Sequence, residues 1–374
     1  MSNMKKILVT GADGFVGKNL VAELKKDREL ELFTVDVDAG EGEFERYALG
    51  ADFIVHLAGV NRPMEESEFF TGNAQLTSWL VGILSSRKNP PPVLLTSSIQ
   101  SDLANAYGKS KREAENIVFQ YGKETKTPVY VFKLPNLFGK WGRPDYNSVV
   151  ATFCHNITHS LPVEINDPER ELTLCYIDEV IRHIKEAIDG RLEPGDDGYC
   201  EVGTTYKITL RELADTLIAF SESRETLLLP PFTGLKKALY STYLSYLPSD
   251  GFSYPLTAHS DPRGSFYEFL KTEKSGQFSV STTQPGVTRG NHWHHTKVEK
   301  FLVIGGQAAI RFRRIGDGEV LEYRVCGEKP EVLDIPAGYT HSITNTSETE
   351  TLITLIWANE QFDPDFPDTF FEEV

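Results

Sequence analysis

The chain has 374 residues, of which 40% are hydrophobic and 25% are charged, and this length and composition favour a globular protein with two domains. Its formal net charge of −16 excludes nucleic acid and anionic membranes as general partners, because both bind through a basic surface. The four cysteines form no C-x-x-C pair and no apolar run is long enough to cross a membrane, so we expect a cytoplasmic protein.

The first part of the chain alternates short apolar runs with amphipathic stretches. The apolar runs, which are rich in β-branched residues, are KKILVTG, ELFTVD, ADFIVHLAG, PPVLLTSS and TPVYVFKLPNLFG. Such runs, each followed by a helical pattern, are typical of parallel strands that are covered by helices on both faces. The sequence therefore predicts an α/β domain with a doubly wound parallel sheet over residues 1–247.

The pattern changes near Pro248. Residues 248–374 contain short runs separated by Gly, Pro and Asp turns, with no convincing helical periodicity. This texture is typical of an antiparallel barrel or sandwich. We therefore predict a second, all-β domain over residues 248–374.

The first predicted strand runs into the glycine-rich stretch TGADGFVG. Gly11, Gly14 and Gly17 fall between a strand and a helix, where glycine permits a tight turn and lets backbone amides approach a pyrophosphate. Asp36 ends the second predicted strand. A carboxylate there can accept hydrogen bonds from an adenosine ribose and repels a 2′-phosphate, which favours NADH over NADPH.

A tyrosine and a lysine lie one helical turn apart in YGKSK. Tyr107 and Lys111 share a helix face, and Ser98 closes the preceding strand. A nearby cation lowers the pKa of a phenol, so this group could exchange a proton with a sugar oxygen near neutral pH. A solvated helix face is the alternative for this spacing alone, and the glycine motif makes that reading the poorer one.

These motifs together resemble the extended short-chain dehydrogenase/reductases that act on nucleotide sugars, over roughly the first 240 residues. The resemblance implies catalytic roles for Ser98, Tyr107 and Lys111, and it places Asn136 and Asn147 along the nucleotide-sugar groove. It also implies a dinucleotide site that is lined by Gly11, Gly14, Phe15, Val16, Gly17, Asp36, Leu57, Ala58, Tyr107 and Lys111. Glu171 stands where many members have an arginine, so another cation would have to contact the diphosphate.

The stretch GVTRGNHWHHTKVEKFLVIGG concentrates histidines in the second domain. His292 and His294 are two apart and share one strand face, Glu299 opens the next strand, and His341 follows farther on. Three imidazoles and a carboxylate suit a divalent transition metal, and Zn, Mn, Fe, Co and Ni are all chemically possible, with zinc our first choice. A polar pocket of hydrogen-bonded histidines is the alternative.

The spacing of these residues resembles the cupin family, which implies that His292, His294, Glu299 and His341 are metal ligands. The segments around Arg263 and His292 also resemble the metal-free nucleotide-sugar 3,5-epimerases. In that family the matching histidine is the base and a lysine matching Lys300 holds the enolate. We favour the ligand role for His292, because the metal-free scheme leaves Glu299 and His294 without a function.

The whole chain resembles bifunctional bacterial enzymes of capsular polysaccharide synthesis. This implies that the cupin epimerises C3 of a UDP-2-acetamido-2,6-dideoxy-4-hexulose and that the reductase reduces C4 with NADPH to UDP-2-acetamido-2,6-dideoxy-L-talose, toward UDP-N-acetyl-L-fucosamine. We adopt NADPH from the resemblance, against the argument from Asp36, and we expect a homodimer. The alternative is an NAD-dependent 4-epimerase or dehydratase whose cupin only binds sugar or mediates dimerisation.

Overall fold

The computed structural model describes residues 4–231 and 233–374. The described residues form two compact units, one made of the chain up to Leu217 with Ala238–Leu247, and the other of Ile218–Lys237 with Pro248–Val374. The chain thus changes units at Leu247, and an earlier segment also groups with the second unit. The boundary between residues 247 and 248 as the limit of two independently folding domains stays a prediction.

In its described residues, the first unit contains nine strands in two sheets. Six of them form a sheet in the order β2-β1-β3-β4-β5-β8, in which every pair is parallel, and β6, β7 and β9 form a small separate sheet. The strands are β1 (Lys5–Thr10), β2 (Leu30–Val35), β3 (Phe53–His56), β4 (Val93–Ser98), β5 (Val129–Leu134), β6 (Asn136–Phe138), β7 (Glu171–Tyr176), β8 (Tyr199–Cys200) and β9 (Tyr206–Thr209).

Helices connect these strands, and two more helices follow β9 in the chain. They are α1 (Phe15–Leu24), α2 (Glu41–Gly50), α3 (Leu76–Ser85), α4 (Ala106–Thr125), α5 (Val149–Thr158), α6 (Ile177–Ile188), α7 (Leu210–Thr226) and α8 (Gly234–Leu244). A π-helix (Phe70–Gln75) precedes α3, and a 3₁₀-helix (Ile99–Asp102) follows β4. Among the described residues, none of the helices is both long and apolar enough to cross a membrane.

The large sheet is buried on both faces. Ile7 and Val9 of β1 belong to one apolar cluster, whereas Leu8 between them belongs to the other. Successive side chains of a strand point to opposite faces, so a parallel sheet between two helical layers requires continuous apolar strands. This confirms the predicted doubly wound α/β domain.

The strand order reverses beside β1. Strand β2 lies on one side of β1 and β3 on the other, with Thr10 paired with Val35 and with His56. Ligands of doubly wound sheets bind in the crevice outside the carboxyl ends of the strands at such a reversal. The ends of β1 and β3 therefore mark the expected dinucleotide site.

The second unit is built of strands in two sheets, which confirms the predicted all-β region. Their orders are β10-β12-β13-β20-β15-β18, with β11 on β12, and β17-β16-β19-β14-β21. The core contains Phe301, Val303, Ile310, Phe312 and Ile343. The strands are β10 (Leu228–Leu229), β11 (His259–Asp261), β12 (Gly264–Thr272), β13 (Gly276–Thr283), β14 (Thr288–Trp293), β15 (Glu299–Gly305), β16 (Gln307–Arg314), β17 (Val320–Cys326), β18 (Val332–Ile335), β19 (Tyr339–Asn345), β20 (Leu352–Ala358) and β21 (Phe370–Phe371).

Candidate functional site

The glycine-rich turn after β1 is tight in the way the sequence predicts. Gly11 has a φ of 68°, and a β-carbon there would lie 2.7 Å from the amide nitrogen of Ala58. A β-carbon at Gly17 would overlap the carbonyl oxygen of Gly11. Helix α1 begins at Phe15 with no side-chain cap. Its first amides are thus open to an anion such as a pyrophosphate.

Asp36 follows β2 at the same edge of the sheet. Its carboxylate accepts hydrogen bonds from the backbone amides of Asp13 and Val37, both at 2.8 Å. The following residues, 37–40, contain Asp38 and neither lysine nor arginine. The position where an adenosine ribose would lie is therefore acidic.

The predicted catalytic residues meet where β4 and α4 approach each other. Ser98 is the last residue of β4, and Tyr107 and Lys111 lie one turn apart on α4. Asn105 caps this helix by accepting a hydrogen bond from the Gly108 amide at 2.7 Å. The structure thus brings Ser98, Tyr107 and Lys111 to one site.

The pKa of Tyr107 differs from the sequence-based expectation. Burial raises the pKa of this phenol, while a hydrogen bond to Ser98 lowers it and the neighbouring Tyr146 raises it. The net direction is upward, opposite to the lowering that a lysine one turn away suggested. Lys111 instead points its ammonium at the carbonyl oxygen of Thr96, 2.9 Å away. A phenol that keeps its proton suits the donation of a proton during reduction.

Lys111 is itself buried and electrostatically perturbed. Its side chain is 7% exposed, and burial lowers its pKa to about 8, with Glu115 acting in the opposite direction. His56, which is fully buried, has its pKa lowered to about 3 by burial and by the charge of Lys111. The site therefore contains one buried cation beside a neutral imidazole.

A buried hydrogen-bond chain behind this site was not predicted. Thr10 Oγ1 accepts from the Ala58 amide at 3.2 Å and lies 2.7 Å from His56 Nδ1, and His56 Nε2 lies 3.0 Å from Thr77 Oγ1. Thr77 donates to the carbonyl oxygen of Asn73 at 2.7 Å. This chain links the strand beside the glycine-rich turn to the π-helix.

Asn73 extends the chain to the catalytic helix. Its amide nitrogen donates to Val60 O at 3.1 Å and to Ser110 Oγ at 3.0 Å, and its amide oxygen accepts from the Val60 amide at 2.9 Å. The π-helix around Asn73 is a local irregularity that often occurs at functional sites. In the sequence, His56 and Asn73 follow the order of the short-chain dehydrogenase/reductase motifs, and this order alone pointed to the hydrogen-bond chain.

The residues that were predicted to line the sugar groove remain near solvent. Asn136 is exposed and donates to Thr173 O at 3.2 Å, and Asn147 is exposed just before α5. Glu171, which replaces an expected arginine, pairs with Lys207 at 2.9 Å. Their contacts with a substrate stay predictions.

A second site lies in the all-β unit, where three histidines and a glutamate converge. The side chains of His292, His294, Glu299 and His341 each offer a ligand atom, and all four atoms lie within 4.8 Å of one another. Glu299 Oε2 lies 3.4 Å from Nε2 of both His294 and His341. These three atoms are buried without a hydrogen-bond partner in the described structure. A divalent cation would satisfy them, so the residues fit a metal.

Strand geometry explains why these residues meet. His292 on β14 pairs directly with His341 on β19, and their ring centroids are 4.5 Å apart. His294 follows on the same face, while Trp293 and His295 make an edge-to-face contact, with ring centroids 4.5 Å apart. This alternation is the one that the sequence predicted.

The ionisation of the cluster also suits a cation. Burial and the neighbouring His341 lower the pKa of His292 to about 4, which leaves the imidazole neutral at physiological pH. Burial alone would raise the pKa of Glu299, but the imidazoles of His294 and His341, whose Nε2 atoms both lie 3.4 Å from its Oε2, bring it below its usual range. Neutral imidazoles and an ionised carboxylate are the forms that bind metals.

The two predicted cationic residues of this unit lie outside the cluster. Lys300 follows Glu299 on β15, so its side chain points to the opposite face, where it pairs with Asp334. The structure therefore does not bring Lys300 to the position implied by the 3,5-epimerase resemblance. Arg263 pairs with Asp261 at 2.6 Å, and Asp261 also lies 3.5 Å from Arg289, whose Nε is buried without a partner in the described structure.

Known protein families match both parts of the chain. Residues 7–196 match the NAD dependent epimerase/dehydratase family, and residues 259–370 match the polysaccharide biosynthesis C-terminal domain. The chain is 48% identical over 366 residues to UDP-2-acetamido-2,6-beta-L-arabino-hexul-4-ose reductase from Pseudomonas aeruginosa, with 98% of each chain covered.

Solved structures also resemble this chain. The crystal structure of the capsular polysaccharide assembling protein CapF from Staphylococcus aureus is 49% identical with a TM-score of 0.92, and covers 98% of this chain and 100% of CapF. UDP-glucuronic acid 4-epimerase from Bacillus cereus, in complex with NAD, is 19% identical with a TM-score of 0.53 over 64% of this chain and 98% of its own. The second likeness concerns the fold alone.

Proposed function

Because this chain belongs to the NAD dependent epimerase/dehydratase family, in the group that includes CapF from Staphylococcus aureus, we propose that it is a bifunctional nucleotide-sugar enzyme of capsular polysaccharide synthesis. The all-β unit epimerises C3 of a UDP-2-acetamido-2,6-dideoxy-4-hexulose. The α/β unit then reduces the C4 ketone to UDP-2-acetamido-2,6-dideoxy-L-talose, which leads toward UDP-N-acetyl-L-fucosamine. The cytoplasmic location and the homodimer stay predictions.

One observation carries this proposal: a single chain holds both the Ser98–Tyr107–Lys111 group and the histidine–glutamate cluster. The relative that is covered over 98% of its length is a reductase of a UDP-linked 4-ketosugar. A 4-ketone acidifies the neighbouring C3–H bond, so epimerisation at C3 and reduction at C4 are consecutive steps on one substrate.

In the reductase half, the bound dinucleotide would supply a hydride to C4. Tyr107, whose raised pKa keeps its proton in place, donates that proton to the oxygen of C4. Ser98, which hydrogen-bonds with the phenol, holds the same oxygen. Lys111 contacts the nicotinamide ribose, and Asn136 and Asn147 line the sugar groove.

The identity of the reductant depends on Asp36. The family resemblance implies NADPH, whose 2′-phosphate would meet the carboxylates of Asp13, Asp36 and Asp38. Because Asp36 is already fixed by two backbone amides, it has little freedom to turn away. The local charge therefore favours NADH. The ratio of kcat/KM for the two nucleotides decides between them.

In the epimerase half, His292, His294, Glu299 and His341 would hold a divalent cation, for which zinc is our first choice. When bound, the cation would polarise the 4-ketone and stabilise the oxyanion that forms on loss of the C3 proton. Arg263, which pairs with Asp261 at 2.6 Å, is the residue of this unit that we expect to contact the substrate. Lys300 takes no part, because it lies on the other face of β15.

Hydrogen exchange at C3 tests the proposal most directly. The UDP-linked 4-ketosugar is incubated with the protein in D2O without nicotinamide, and deuterium at C3 is measured by NMR. Incorporation that requires the metal is the expected result. The rival function, a 4-epimerase or dehydratase with a non-catalytic cupin, predicts no incorporation under these conditions.

A further inference from the structure

The carboxyl-terminal segment of the chain lies beside β14, the strand that carries His292. Strand β21 pairs with β14, so that Phe371 lies opposite His292 and Phe370 opposite Trp293. The amide of Glu372 donates to the carbonyl oxygen of Asn291 at 3.0 Å, and Glu372 O accepts a hydrogen bond from Thr340. Residues 367–372, which we call the strap, thus touch the neighbours of His292 and His341.

Asp368 in the strap contacts a predicted metal ligand directly. His294 Nδ1 lies 2.6 Å from the carbonyl oxygen of Asp368. A carbonyl oxygen only accepts, so Nδ1 carries the proton and Nε2 has a free lone pair. Nε2 is the atom that faces Glu299 and has no hydrogen-bond partner in the described structure. The backbone of Asp368 therefore selects the tautomer of His294 that can bind a cation.

The side chain of the same residue fixes that carbonyl in place. The Asp368 carboxylate accepts hydrogen bonds from three successive backbone amides, those of His295, Thr296 and Lys297, at 2.9, 2.9 and 2.8 Å. Lys297, which is 6% exposed, donates from Nζ to the carbonyl oxygen of Pro367 at 2.7 Å. The strap and the turn after His294 are therefore held to each other from both sides.

The backbone at Asp368 also departs from ordinary geometry. Its φ is 40°, in the left-handed region that costs a residue with a β-carbon about 1 kcal/mol or more. Aspartate and asparagine tolerate this region better than most residues, and glycine adopts it freely. The conformation persists because the carboxylate contacts compensate for it.

We propose that Asp368 is a positioning residue of the metal centre, which orients His294 through its carbonyl oxygen and anchors that carbonyl through its carboxylate. This inference rests on the metal site of the proposed function. Groups that orient metal-binding histidines typically change metal affinity by about 10- to 100-fold when they are removed. Asp368 lies 74 positions from His294 in the chain, and its side chain is not one of the four that form the cluster.

Two substitutions at Asp368 test this role in the full-length protein. Asp368→Gly removes the carboxylate and relieves the backbone, whereas Asp368→Asn keeps one acceptor oxygen and tolerates the same φ. The same two substitutions at Asp365, an exposed aspartate that precedes the strap, are matched controls. Zn²⁺ affinity is measured by competition with a chromophoric chelator, and the absorption of the Co²⁺-loaded protein reports the ligand set. Thermal unfolding of the metal-free proteins checks that the fold is intact.

We expect Asp368→Gly to weaken Zn²⁺ binding by about 10- to 100-fold and to alter the Co²⁺ spectrum, Asp368→Asn to lose less, and both Asp365 variants to match the wild type. Wild-type affinity in Asp368→Gly, or equal losses at Asp365, would overturn the inference. If the glycine variant does not fold, Asp368→Asn decides alone by its affinity relative to Asp365→Asn. A wild-type protein that binds neither Zn²⁺ nor Co²⁺ overturns the metal site itself.

Discussion

Lys111 donates a hydrogen bond from Nζ to the carbonyl oxygen of Thr96, 2.9 Å away at the end of β4. The ammonium is buried there, and its pKa falls to about 8. Burial of the cation destabilises the folded state, and buried groups with strongly shifted pKa values are typical of functional sites.

Lys111→Met is therefore expected to stabilise the protein while abolishing ketone reduction. The folded-state pKa of about 8 lies below the ordinary value of 10.5, so between these two values the unfolded chain binds more protons and wild-type stability rises with pH. The destabilisation is fully present below pH 8. We expect the free energy of unfolding of Lys111→Met to exceed that of the wild type by about 1–3 kcal/mol at pH 7.

Urea unfolding at several pH values measures this difference. The gap between variant and wild type should narrow as the pH rises from about 8 toward 10.5. Lys109→Met, which changes an exposed lysine of the same helix, is the matched control and should alter neither stability nor activity. A gap that is constant with pH would contradict the burial argument.

Tyr107→Phe is expected to lower kcat for reduction by about 10²- to 10⁴-fold, because it removes the proton donor and leaves the ring in place. Deuterium exchange at C3 should continue at the wild-type rate, since that step is assigned to the other unit. Tyr47→Phe changes a tyrosine that stacks on Phe33 and serves as the control. Equal loss of both activities in Tyr107→Phe would contradict the division of labour.

Asp36→Ala should shift cofactor use toward NADPH. Removing the carboxylate removes its repulsion of the 2′-phosphate and its hydrogen bonds to the ribose, so we expect kcat/KM for NADPH to rise and that for NADH to fall, each by about 10-fold. The comparison is made by following nicotinamide oxidation at 340 nm with each nucleotide. Asp27→Ala, in the loop before β2, is the control. An unchanged ratio would mean that Asp36 does not approach the ribose.

Local sequence patterns predicted which side chains lie together in both sites, because residues at strand or helix spacing share one face of the folded element. Strand alternation placed His292 and His294 together, and helical spacing placed Tyr107 beside Lys111. However, a shared helix or strand face does not show which other groups each side chain contacts. Burial raises the pKa of Tyr107, and the ammonium of Lys111 donates to the carbonyl oxygen of Thr96, so the expected lowering of this pKa was wrong.

Contacts between segments that are far apart in the chain could not be predicted from local sequence patterns either. Asp368 reaches His294 only because β21 pairs with β14, and neither the composition nor the spacing of residues 367–372 indicates that pairing. Lys300 shows the opposite case. The resemblance implied a role in the site, yet simple alternation from Glu299 was enough to place Lys300 on the outer face.

His294→Ala is expected to remove one equivalent of bound metal, because it deletes a buried ligand atom whose tautomer is already fixed. Metal content is measured by atomic emission after dialysis, and exchange at C3 should fall with it. The control is His295→Ala, since this exposed histidine packs edge-to-face against Trp293 and points away from the cluster. A wild-type protein without metal would return His292 to the role of catalytic base.

The boundary between the units leads to a prediction about fragments. Residues 218–237 contact the rest of the second unit. The backbone amide of Lys271 donates to Leu227 O at 2.7 Å. The Arg224 guanidinium donates to Gly251 O at 2.7 Å and lies 4.7 Å from the Tyr254 ring centroid. Strand β10 also covers the edge of β12. A fragment that begins at Pro248, where the sequence predicts the boundary, loses all of these.

A fragment of residues 218–374 should therefore be more stable than one of residues 248–374. Loss of two hydrogen bonds and of the strand that covers an edge is expected to cost about 2–3 kcal/mol, and an uncovered edge strand promotes association. Thermal unfolding and sedimentation of the two fragments, with zinc at saturation, measure both effects. The control is Arg224→Ala in the longer fragment, which should reproduce part of the loss in stability without exposing the edge of β12. Equal melting temperatures for the two fragments would place the folding boundary at residue 248.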